Sequence, residues 1–181
     1  MDESPEGHWA FHAIPDPRAA LTAAYQGLRF DLMGMGSRRL NERLDVRAEH
    51  LDTADGWHLL LLVTPWCALR VFLPEDPRAP QGLPDAADLE CEADGRVTVG
   101  AELPLPFQGE TRTVEVAFDP RLGHHLVETL AVDMGAFDDT EEALAWARQR
   151  PQTAGSASEP TPTPQRQLSR RGLLKGLMGR R

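Results

Sequence analysis

Two adjacent histidines, His124 and His125, and two cysteines, Cys67 and Cys91, are the residues whose natural chemistry would be metal coordination. Their spacing argues against it. Neighbouring side chains point to opposite faces of a strand and diverge by about 100° on a helix, so one ion can hardly use both histidines. The cysteines lack C-x-x-C spacing and are too few for a disulfide framework, which fits a reducing setting. The carboxylate pairs Asp138-Asp139 and Glu141-Glu142 have the composition for general acid–base work, but their place at the head of a helical pattern explains them as caps. No nucleophile elbow, phosphate loop, H-E-x-x-H or G-x-G-x-x-G occurs, and Met33-Gly34-Met35-Gly36 only stops a helix. These absences point away from an enzyme and toward no cofactor and no bound metal. A small metalloenzyme stands as an alternative that stoichiometric metal in the purified protein would reveal.

The most specific short pattern lies near the carboxyl end. Ser169-Arg170-Arg171-Gly172-Leu173-Leu174-Lys175 looks like the S-R-R-x-F-L-K box of twin-arginine export signals, with Leu173 in place of phenylalanine. Export signals stand at the amino terminus and continue into an apolar stretch, whereas this one is followed by Gly179-Arg180-Arg181. It is therefore either an imitation of such a signal or a basic, partly amphipathic tail that touches anionic lipid. Charge divides the chain in the same place. The net charge is −9, yet the last six bases meet no acid after Glu159, which leaves 13 bases against 28 acids, a net of −15, over residues 1–165. Such a body repels nucleic acid and attracts basic peptides.

The elements that would position these groups centre on residues 57–73, W-H-L-L-L-L-V-T-P-W-C-A-L-R-V-F-L, the densest apolar run. Pro65 forbids a continuous helix and Arg70 interrupts the apolar face, so two buried strands joined at Thr64-Pro65-Trp66 are expected rather than a membrane span. Upstream, residues 1–15 read as an arm that Trp9, Phe11 and Ile14 anchor. The start M-D-E-S-P-E has no apolar region of a secretory signal, and a cytoplasmic location is expected. Asp16-Pro17 opens a helix with Leu21, Ala24, Tyr25, Leu28 and Leu32 on one face. Leu44, Val46 and Ala48 alternate with charges as a half-exposed strand, and residues 52–56 turn it into Trp57.

Downstream, Pro74, Pro77, Pro80 and Pro84 make a loop, and pairing resumes near residues 89–91. Asp94-Gly95 introduces a strand through Val97, Val99 and Ala101, which Leu103-Pro104-Leu105-Pro106 breaks. A further strand with Val114, Val116 and Phe118 inward follows the Gln108-Gly109 turn. Residues 122–134 fit strand or helix. Asp139-Thr140-Glu141-Glu142 starts a last helix, with Ala143, Trp146 and Ala147 inward and Pro151 ending it. The sum is an α+β fold, a mainly antiparallel sheet with an N-terminal and a C-terminal helix, in one domain of residues 16–150. Residues 151–168 have a linker's composition, and 169–181 form the basic tail. A coil of sixteen residues reaches about 20–25 Å, enough for an effective concentration near millimolar.

Thr64-Pro65-Trp66, after a hydrophobic strand and before apolar residues closing on Pro74, resembles the central signature of the HybE-type chaperones of nickel-iron hydrogenase assembly. That family's C-termini often show a similar Arg-Arg-x-Leu-Leu stretch. The resemblance implies a chaperone that binds a hydrogenase small or large subunit, or its twin-arginine signal peptide, and delays export until assembly is complete. Thr64, Pro65 and Trp66, with Trp57 beside them, would be the partner-binding residues, Trp66 as the rim of a peptide groove. The same residues also have a purely structural explanation, with threonine capping a turn, proline fixing it and tryptophan filling the core. The rival from another class is a membrane-surface adaptor, in which the tail docks on anionic lipid while the acidic body recruits a basic client.

Overall fold

A computed structural model describes residues 7–34 and 40–151, and everything structural below concerns those residues. The apolar run forms the hairpin of β2 (Trp57–Val63) and β3 (Ala68–Pro74) at the middle of a six-stranded antiparallel sheet. The other strands are β1 (Arg47–Ala54), β4 (Glu102–Phe107), β5 (Glu110–Asp119) and β6 (Gly123–Ala131), in the order β1-β2-β3-β6-β5-β4. Every β3 residue is buried, as expected of a strand covered on both faces. Helix α1 (Pro17–Gly34) lies on one face, packing Leu21, Ala24, Tyr25 and Leu32 on Leu60, Leu62, Leu69, Val71 and Val127. Helix α2 (Thr140–Arg148) covers one end of the opposite face through Ala143, Leu144 and Ala147 against Leu61, Val63 and Ala68. The other end of that face is filled from the loops, around Trp57, Phe72, Leu105, Phe107 and Leu126.

Both helix starts follow from their caps. Asp16 accepts from the Ala19 amide at 3.0 Å, and Asp139 from the Glu142 amide at 2.8 Å. Residues 7–15 are held as anchored chain. The His8 amide donates to Gly95 O at 2.8 Å, the Trp9 indole N–H to Pro84 O at 3.2 Å, and Phe11 bridges to Gly123. Most of the undecided stretch 122–134 is strand β6, Gly123–Ala131, and its two histidines do point to opposite faces, His124 toward Trp9 and Phe11 and His125 toward Tyr25.

Three expectations are corrected. The first hairpin turns on Asp55-Gly56 alone, both with positive φ, because Ala54 pairs directly with Trp57, so β1 runs on through Asp52 and Thr53. Residues 97–101 form no strand. The Asp94-Gly95 turn closes only the isolated Cys91–Val97 bridge before another turn at Val99-Gly100. Leu103-Pro104-Leu105-Pro106, read as a break, is strand β4. Its prolines are exposed and its leucines buried, and it occupies the sheet's edge, where a proline's missing N–H leaves no ladder bond unmade.

Candidate functional site

The β2–β3 connection is built on one hydroxyl. Thr64 Oγ1 donates to Cys67 O at 3.0 Å and accepts from the amides of Trp66 at 3.2 Å and Cys67 at 2.9 Å, while the Thr64 amide donates to Cys67 O at 2.9 Å. Threonine's short side chain mimics a backbone turn here, and Pro65 supplies the fixed φ. Residues 64–67 are buried, with Trp66 8% exposed. Burial pushes the Cys67 thiol up to about 12, so it stays an inert neutral thiol.

Trp57 stands apart from this turn. It is fully buried at the far end of β2 and belongs to the loop-covered cluster, its indole N–H donating to Gln81 O at 3.0 Å and its ring meeting the edge of Phe11 at 5.9 Å. Trp66 packs in the α1-covered cluster instead. Thr64, Pro65 and Trp66 therefore form one unit, and Trp57 is not brought to it. The register Ala68↔Ala131 sets the turn alongside Val132, one of the few large apolar side chains left exposed among the described residues, at 59%.

Sequence reading missed the residue that ties this end together. Asn41 donates its amide to Pro65 O at 2.8 Å and its side-chain NH2 to both Met134 O and Phe137 O, each at 2.8 Å. One asparagine thus fastens the turn to the approach to α2. The only local signal was an asparagine just ahead of the strand-like alternation. Arg70 was noticed as an interruption, but not its role. It is 3% exposed, pairs with Glu128 at 3.1 Å and donates to Arg150 O at 2.6 Å, and the buried Arg112 reaches the same Glu128 at 3.3 Å. Two buried guanidiniums share one carboxylate where the described chain ends.

His124 takes the Ala10 amide on Nδ1 at 2.8 Å and donates Nε2–H to Val97 O at 3.1 Å, amid the rings of Trp9, Phe11 and Phe118. His125 faces the other way, toward the Tyr25 hydroxyl at 3.2 Å. Burial lowers both imidazoles to about 4, so both are neutral structural groups at pH 7. Burial likewise drives the Tyr25 phenol upward. Asp138 and Glu141 pair with Arg43 and Arg47, and Glu142 accepts from the Asp138 amide at 2.8 Å, so the carboxylates are occupied around the helix start. Among the described residues, no group of three or more His, Cys, Asp or Glu side chains gathers to hold a metal ion, and no helix is long and apolar enough to cross a membrane. The tail motif Ser169, Arg170, Arg171, Leu173, Leu174 and Lys175 lies outside the described residues.

What the geometry offers is a scaffold whose turn of Thr64, Pro65 and Trp66 is buried and whose carboxylates at the start of α2 are engaged in ion pairs and hydrogen bonds. The sequence profile of the [NiFe]-hydrogenase assembly chaperone family HybE matches residues 16–176. The chain belongs to that family. It is similar to the solution structure of HybE from Escherichia coli at 16% identity and a TM-score of 0.48, covering 92% of this chain and 98% of that one. No curated protein matches it in sequence.

Proposed function

We propose that this chain binds a [NiFe]-hydrogenase subunit, small or large, in the cytoplasm, engages the twin-arginine signal peptide of that assembly, and delays export until assembly is complete. The observation that carries the reading is the family match, which runs to residue 176 and so takes in Ser169, Arg170, Arg171, Leu173, Leu174 and Lys175. The tail imitates the signal and occupies the protein's own docking surface until a cargo signal displaces it. Exposed Val132, beside the buried turn of Thr64, Pro65 and Trp66 that fixes the strand ends there, is the surface offered to the leucines of either sequence. Trp57, fully buried, serves it only by fixing β2. The net −15 of residues 1–165 favours a cationic leader.

The test compares the full chain with a form ending at residue 165, titrating each with a synthetic hydrogenase small-subunit signal peptide and following backbone amide resonances. The shortened form is expected to bind more tightly. Weaker or unchanged binding discards the gating by the tail. Replacing Arg170 and Arg171 together with lysine keeps the charge and loses the bidentate fork; if the tail acts as a motif, the variant gains peptide affinity as the shortened form does. Capture of the full chain's partner from cells making active hydrogenase, with identification by mass, tells which subunit is bound.

A further inference from the structure

One cluster on the open edge of the sheet is used by none of the above. In β1 the pairing register slips between His50 and Asp52, leaving Leu51 as the extra residue of a bulge. In a regular strand positions 50 and 53 would face opposite ways, since side chains alternate with period two. The bulge cancels one step of that alternation and brings His50 and Thr53 to the same face, where Thr53 pairs across the strands with His58. The result is convergent: His50 Nε2 and His58 Nδ1 each lie 2.9 Å from Thr53 Oγ1, and the two rings stand 5.7 Å apart, centre to centre.

The geometry points to a site for one divalent transition-metal ion, held by His50 Nε2 and His58 Nδ1 with Thr53 Oγ1 at its side and water completing the shell. Two imidazoles bound to one ion at metal–nitrogen distances of about 2.0–2.1 Å place their ring centres about 5–6 Å apart, so the observed spacing needs little change. The hydroxyl marks the place where both nitrogen lone pairs can be aimed. A hydroxyl has a single proton, so at most one of the two nitrogens accepts from it and at least one ring donates to its oxygen. Metal binding asks for both lone pairs, which a shift of a donating ring to its other tautomer supplies. The cluster is exposed enough for an ion to enter from solvent, as His50 and Thr53 are exposed and His58 half-buried. Imidazole donors suit zinc, nickel and copper, and offer little to magnesium or calcium. The bulge is the device that makes the site, and its ligands are separate from the buried pair His124 and His125.

The test uses the untagged full chain, titrated with zinc or nickel ions, with magnesium as the control. The readouts are calorimetry and the side-chain nitrogen resonances of the histidines. One saturable equivalent of zinc or nickel is expected, with perturbation confined to His50 and His58. His50→Gln and His58→Gln should each abolish that equivalent without altering the circular dichroism spectrum. Thr53→Val, which keeps the shape and removes the oriented oxygen, should weaken it by about tenfold, the size of effect that removing a group beside a metal ligand produces. No saturable binding, a response at His8 or His12 instead, or binding retained in His58→Gln would each overturn the proposal.

Discussion

At the scale of single residues, the two adjacent histidines act as neutral struts. Their folded pKa values of about 4 lie below the ordinary imidazole value of 6.5, so each stabilises the fold fully above that value and the contribution is lost as pH falls toward 4. Urea midpoints measured at pH 7 and pH 5 should therefore fall for the native chain by more than for His124→Gln, whose glutamine has no proton to take up in this interval. An equal fall in both would mean that His124 titrates normally. Asn41 is the other residue whose weight exceeds its visibility. Removing its amide leaves Met134 O and Phe137 O, which it now satisfies, in want of a donor. Asn41→Ala should cost about 1–3 kcal/mol, read as a lower urea midpoint at unchanged slope. Neither role could be seen in the chain, because the acceptors of the Asn41 side-chain NH2 are more than ninety positions away and a buried imidazole looks like any other in a sequence.

Among elements, what could be read in advance was what is decided locally. Asp16 and Asp139 announce the two helices through bonds to amides three residues on, and the Gln108-Gly109 turn closes β5 onto β4 with positive φ at both positions. Strand β4 was hidden for the complementary reason. Pro-x-Pro reads as an interruption unless the segment lies on the margin of a sheet, and that placement is a tertiary fact. The bulge in β1 was equally silent, since register is set by the partner strand. Strand β4 makes a clear forecast, because its two kinds of residue face different surroundings. Leu105→Ala, at a fully buried position, should destabilise by about 2–5 kcal/mol, whereas Pro104→Ala, exposed, should shift stability by no more than about 0.5 kcal/mol. Thermal midpoints of the two variants decide it, and similar losses would refute the assigned orientation of the strand.

For the molecule as a whole, the division between an acidic body and a basic end was plain from charge counting, and the Thr64-Pro65-Trp66 signature pointed to a family that the profile match bears out. The purpose of the turn was harder to read, because a threonine-proline-tryptophan sequence serves a core as well as a client, and in the fold its polar groups are bonded to one another and to Asn41. Charge makes the prediction at this scale. If a cationic leader is drawn by the summed field of the body, its association rate should drop steeply between 0.01 and 0.15 M salt, where the screening length contracts from about 30 to about 8 Å. Stopped-flow mixing at the two concentrations measures this, and a flat response would leave the leader's leucines as the source of affinity. The prolines of β4 have a consequence of their own. With one flank of the sheet capped by residues that cannot donate, any stacking of copies by strand addition must begin at β1, so a charged substitution at Leu51 should slow fibril growth in heated samples far more than one placed on the proline flank.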